Sequence, residues 1–263
     1  MKIKNKFSGA SSVWFKETDI KKIQMMSSEN PLHIISTVCP DYSNDGQRYT
    51  FSGEMGSSIS LTALEHLKNV PALIEVFHTQ GFRVEWTILV ADLPEIVEEE
   101  FVSRVAGTTD QYLDRCKNSA KAIQSEVGEL VSVETFTSFY SVLGIDYLAI
   151  QRSVAKRILL EGEIEPFHSK FVNFATGRRD LAEKFRGRRL SEGEILHAGA
   201  HGMSLYITHG TLLRHIFLGK NLVVVNHQTP NLQNFYLCNF VSGYEHLLNT
   251  PKFPLGILKK ELY

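Results

Sequence analysis

The sequence predicts an α/β fold: a mostly parallel, doubly wound sheet with helices on both faces. Three observations carry this. Leu32–Val38, Arg83–Ala91 and Asn221–Asn226 are short, β-branched and apolar on consecutive residues, the pattern of strands buried on both sides. Helical patterns separate them. No repeat, low-complexity tract or Gly/Ser linker divides the 263 residues, so one α/β domain is expected over 1–263, with a helical lid over about 133–190.

The elements follow in order. Residues 1–30 mix Lys and Ser with Val13-Trp14-Phe15 and Ile20–Met26, which suit a short helix docked at an edge. Leu32–Val38 is a strand that Pro40 ends, and a long polar loop follows. Ser58–His78 is near a helical period, and Pro71 predicts a kink or two helices. Arg83–Ala91 is a strand with Asp92 at its carboxyl end. Leu93–Arg104 is acidic and helical in pattern. Thr108 or Thr109 caps a helix reaching Val127, with Tyr112, Leu113, Cys116, Ala120 and Ile123 on its apolar face. Val131–Tyr140 is aromatic and β-branched, and reads as either strand or helix; Asp146–Leu160 reads as helix. Ser191-Glu192-Gly193-Glu194 is a capping box. Its helix is expected through Tyr206, with a second to Leu218 and Gly219 as the stop. Asn221–Asn226 is the third strand, and the tail reads as a surface wrap.

Composition narrows the class. With 43% hydrophobic residues and a net charge of −1, the chain as a whole is neither a nucleic-acid nor a membrane binder. No apolar stretch approaches the ~20 residues of a membrane span, and the basic N-terminus has no apolar stretch after it. Cys39, Cys116 and Cys238 are widely spaced and odd in number, so a disulfide framework is not expected and a cytoplasmic location is.

Three strand ends converge on one crevice, the place where open α/β sheets bind ligands. They bring Cys39, Asp41 and Tyr42 from the first, Asp92 from the second, and Asn226, His227 and Asn231 from the third. Cys39 or Ser36 is the candidate nucleophile, with Asp41 or His227 as its base. The alternative is structural: Cys39 as a small buried residue and Asp41 as a turn cap. Asp92 suits a ribose or an amine, or the N-cap of the acidic helix. No G-x-G-x-x-G is present, so no dinucleotide cofactor is expected, although Gly53–Ser58 could wrap an anion. Glu194, His197 and His201 share a helical face at i, i+3 and i+7 without an H-E-x-x-H motif. Together with Tyr206 and His209 they read as a polar lining rather than a metal site. Arg178, Arg179, Lys184, Arg186, Arg188 and Arg189 make the only basic run, diluted by Asp180 and Glu183. Of these, Arg178, Arg179, Arg188 and Arg189 are the candidates to hold phosphate, from a small anion or a tRNA backbone; a solvated surface is the alternative.

The order of elements resembles the Rossmann-like enzymes related to class I aminoacyl-tRNA synthetases. Val38-Cys39-Pro40-Asp41 and Val90-Ala91-Asp92 stand where isonitrile synthases of the pyoverdine/dityrosine type carry a Pro-containing loop and a strand ending in Asp. Ser36 looks like the nucleophilic Ser of the tRNA-dependent cyclodipeptide synthases, although Ile35 and Cys39 replace the Gly and Asn that flank it there. Neither H-I-G-H nor K-M-S-K-S is present, which excludes a true synthetase. The resemblance implies a biosynthetic synthase or transferase acting on an amino acid or aminoacyl group, with a small-molecule substrate and a role for tRNA. The alternative is a non-catalytic binding or effector protein on a degenerate Rossmann-like core, with Phe235–Tyr244 as a partner surface.

Overall fold

The computed structural model describes residues 21, 23, 25–26, 29–38, 42–44, 49–51, 67–92, 108–161, 183, 188–227 and 236–239. Among them, β1 (Leu32–Val38), β4 (Val84–Val90), β5 (Val131–Thr135), β6 (Asn221–His227) and β7 (Tyr236–Asn239) form one five-stranded sheet in the order β5-β4-β1-β6-β7. The first four are parallel, and β7 runs antiparallel to β6. The three predicted strands are the three central ones. All seven residues of β1 are buried, because helices cover both faces of a parallel sheet.

One face packs under α1 (Val70–His78) and α2 (Thr109–Val127). Leu32, Ile34, Val38, Trp86, Ile88 and Val90 meet Leu73, Phe77, Tyr112 and Ile123 there. The other face packs under α3 (Phe136–Val142), α4 (Tyr147–Glu161) and α5 (Glu192–Ile216). Ile35, Leu89 and Val224 meet Phe136, Tyr140, Tyr147, Ile150 and Leu212. This division is the period-2 alternation of strand side chains carried into three dimensions. Sheet and helices on both sides make the fold α/β, Rossmann-like and doubly wound, with α3 and α4 as the described part of the helical layer expected over 133–190.

Several local expectations change. Of the two outcomes expected at Pro71 the second holds: Leu67 is helical, Lys68-Asn69 is a turn, and Pro71 stands in the first turn of a new helix, α1, where its missing N–H has no intrahelical acceptor. The polar loop after β1 contains an antiparallel hairpin, β2 (Tyr42–Asn44) with β3 (Tyr49–Phe51). Asp45-Gly46 lies between its strands, a turn dipeptide that sequence reading passed over. Val131–Tyr140 is both strand and helix: Thr135 ends β5 and N-caps α3, accepting the Ser138 N–H at 3.3 Å, so residues 133–135 belong to the sheet. Thr108 caps α2 through Gln111 N at 3.2 Å. Helix α5 runs unbroken for 25 residues, not as two helices. Gly219, at φ 76°, follows its end. The tail is not only a surface wrap, because β7 extends the sheet within Phe235–Tyr244. Ile23 joins the core, while Val13–Phe15, Leu93–Arg104 and Gly53–Ser58 lie outside the described residues.

Candidate functional site

From β1 the chain passes to β4 and then β5 on one side of the sheet, and returns to β6 on the other. Direction therefore reverses between β1 and β6. At such a switch point the loops leaving two adjacent strands part, and a crevice opens outside their carboxyl ends. Val38 is the register partner of His227, and Thr37 of Asn226. Cys39 follows Val38 directly, so the sheet brings the first and third predicted strand ends side by side. Asp92 stands two residues beyond β4, on the other flank of β1.

Ser36 sits two residues below this mouth and is fully buried. Its Oγ accepts the indole N–H of Trp86 at 2.7 Å. Trp86 is the register partner of Ile34, which makes it a diagonal neighbour of Ser36 on one face. A buried indole needs an acceptor, and Ser36 supplies it. In this conformation no substrate reaches that hydroxyl.

Asp92 is 3% exposed and reaches across to α3. Its Oδ1 accepts the Thr137 N–H at 3.1 Å and its Oδ2 accepts the Thr137 hydroxyl. It therefore binds the positive end of α3. Burial raises its pKa, and the bonds from Thr137 oppose that shift. The Thr135 side chain also hydrogen-bonds this carboxylate.

Near the carboxyl end of β1, on the face covered by α3–α5, lies a polar group that sequence reading only partly anticipated. His209 of α5 is 8% exposed, with Nε2 3.3 Å from Thr37 Oγ1 and Nδ1 2.8 Å from the Tyr140 hydroxyl. The ring of Phe136 meets the imidazole edge-on at 4.4 Å, and Tyr147 lies 4.8 Å from Tyr140. Burial lowers the His209 pKa to about 3, so the imidazole is neutral. Burial also raises both tyrosines; the charge of Asp92 adds to the shift of Tyr147, whose hydroxyl donates to Leu205 O at 2.9 Å. The signal for Tyr140 was the aromatic run after β5; nothing local pairs Thr37 with a residue 172 positions away.

The Glu194, His197 and His201 face is divided among other partners. Glu194 closes the capping box with Ser191 and takes a two-pronged contact from Arg188, at 2.6 and 3.3 Å. That contact, and then the Ser191 N–H, hold its pKa well below the usual carboxylate range. His197 is exposed. His201 Nδ1 lies 3.2 Å from the amide of Gln151, which also donates to Ser204 Oγ at 2.6 Å. Among the described residues no group of three or more His, Cys, Asp or Glu is placed to hold a metal. Of the four phosphate candidates, Arg188 and Arg189 are exposed beside the start of α5, whereas Arg178 and Arg179 lie outside the described residues. Cys39, Asp41 and Asn231 also lie outside them; Tyr42, Tyr206, Asn226 and His227 are described only as backbone of β2, α5 and β6. Among the described residues no helix is long and apolar enough to cross a membrane.

No family model matches the chain, and no curated protein matches it. Among solved structures it is similar to "CDPS from Staphylococcus haemolyticus", over 80% of this chain and 82% of that one, with 13% identity and a TM-score of 0.43.

Proposed function

We propose that the chain is a small-molecule biosynthetic enzyme, a synthase or transferase acting on an amino acid or aminoacyl group in the crevice at the ends of β1 and β6. One observation carries the reading. The topological switch point pairs Val38, the residue before Cys39 in the chain, with His227, and Asp92 follows β4 on the other flank of β1. A thiol and an imidazole, where they meet, are the parts of an activated nucleophile. Cys39 is then the nucleophile in preference to the sealed Ser36, and His227 is its base. Asp92 and Tyr42 grip the amine of the substrate, with Asp41, Tyr206, Asn226 and Asn231 as further contacts. The amino-acid class rests on the resemblance of Val38–Asp41 and Val90–Asp92 to the isonitrile synthases and of Ser36 to the cyclodipeptide synthases.

The test incubates the purified protein with the amino-acid pool, with and without charged tRNA, and follows products by mass spectrometry. A new product that Cys39→Ala abolishes and Asp92→Asn reduces is expected. If both variants keep full activity, the crevice is not the site. A product that appears only with charged tRNA assigns the aminoacyl branch.

One observation favours the second reading, a binding or effector protein on a degenerate core. Ser36 serves as the acceptor for Trp86 and is fully buried. On this reading no product forms, and Cys39→Ala leaves every partner interaction unchanged.

A further inference from the structure

Thr37 is the penultimate residue of β1 at the switch point, and 8% of its surface remains accessible. Its only side-chain hydrogen bond among the described residues is to His209 Nε2, at 3.3 Å. The direction of that bond follows from the other end of the imidazole. A neutral imidazole has one donor and one acceptor nitrogen. A phenol is a better proton donor than an aliphatic hydroxyl, and the Tyr140 contact to Nδ1 is the shorter one, at 2.8 Å. The other acceptor near this phenol, the His209 carbonyl oxygen, is farther at 3.5 Å, so we assign the Tyr140 proton to Nδ1. Nε2 carries the proton and donates to Thr37 Oγ1. The Thr37 hydroxyl is then the acceptor in this contact, and its own hydrogen is left to point elsewhere.

We propose that Thr37 is a ligand-binding residue of the β1/β6 crevice, donating its hydroxyl proton to the acyl carbonyl oxygen of an amino-acid-derived ligand, and that His209 and Tyr140 are positioning residues that enforce this direction. The proposal rests on the reading of the crevice as an amino-acid or aminoacyl site. Its chemistry is that of a preorganised donor: the relay behind Thr37 is buried and costs no reorganisation when a ligand arrives.

The experiment titrates the full chain calorimetrically with stable L-aminoacyl amides, one at a time, comparing the native protein with Thr37→Val, Thr37→Ser and Tyr140→Phe. Thr37→Val is expected to weaken binding about three- to tenfold, the effect of one neutral hydrogen bond. Thr37→Ser keeps the affinity, and Tyr140→Phe weakens it although the phenol touches no ligand. Equal affinity in the native protein and Thr37→Val overturns the proposal and leaves the reading of the crevice standing. Absence of binding to the native protein overturns both. A second measurement needs no variant: nitrogen-15 NMR of the native protein is expected to find His209 protonated on Nε2, with signals that move on adding the amide. Protonation on Nδ1 overturns the proposal, because Thr37 would then donate to the imidazole.

Discussion

At the scale of the residue, two buried titratable groups pull acid stability in opposite directions. The native pKa of His209 is depressed to about 3 from 6.5. The unfolded chain therefore binds the extra proton first, and stability present above pH 6.5 is lost on acidification, at about 1.4 kcal/mol per pH unit for this group alone. His33, whose pKa is also lowered mainly by burial, acts with the same sign. Asp92 is raised above 3.8, so its contribution is complete below that pH and is lost as pH rises through its native pKa. Asp92→Asn is expected to raise the urea midpoint at pH 7 and to leave it unchanged at pH 3, since an amide can still accept the Thr137 N–H. His209→Gln is expected to flatten the loss between pH 6.5 and 5. No gain at pH 7 in Asp92→Asn would mean that the bonds from Thr137 outweigh burial. Asp92 was legible as a strand-end acid; its partner on α3 was not, since the two lie 45 positions apart.

At the scale of the element, the helix starts were the most legible features because caps are local. Thr108 and the Ser191–Glu194 box were readable from spacing alone, and both form as expected. Thr135 was not, because one residue both ends β5 and caps α3. Ser191→Ala removes the side chain that accepts Glu194 N at 3.4 Å, and is expected to destabilise the protein by roughly 0.5–2 kcal/mol. Chemical denaturation checks this. An unchanged midpoint would show that the burial of Leu190 and Ile195 alone fixes the start of α5. The length of α5 was underestimated for a related reason. Its Gly- and Thr-bearing middle has poor intrinsic propensity. It holds because that stretch is buried, with Ile207, Leu212 and Leu213 in the core.

At the scale of the whole molecule, charge decides between ligand classes. With a net charge of −1 no global field draws in a polyanion, so tRNA binding would depend on the local basic run. Part of that run is already engaged: Arg188 is paired with Glu194. A small anion or a solvated surface is therefore favoured over a nucleic-acid backbone. The expected tRNA affinity is weak, with a salt slope near zero or one. Arg188→Ala with Arg189→Ala is expected to change it little. Tight binding with a steep slope, at roughly 0.7–0.9 per phosphate contact, that the double substitution flattens would assign the tRNA-dependent branch.

The sequence by itself determined the α/β class, the three central strands and the caps of α2 and α5. Each depends on neighbours within a few positions: apolar runs, a Thr or Ser before a helix, a Glu three residues later. Only the tertiary structure decided that β1 lies between β4 and β6, because strand order depends on which faces the crossovers bury. That order makes the β1/β6 end a switch point and sets Val38 against His227. It also gives Ser36 to Trp86 and Thr37 to His209: successive β1 side chains point to opposite faces, one into each helical layer. The pattern shows that both residues are buried, but only the helices above them decide which layer each side chain joins.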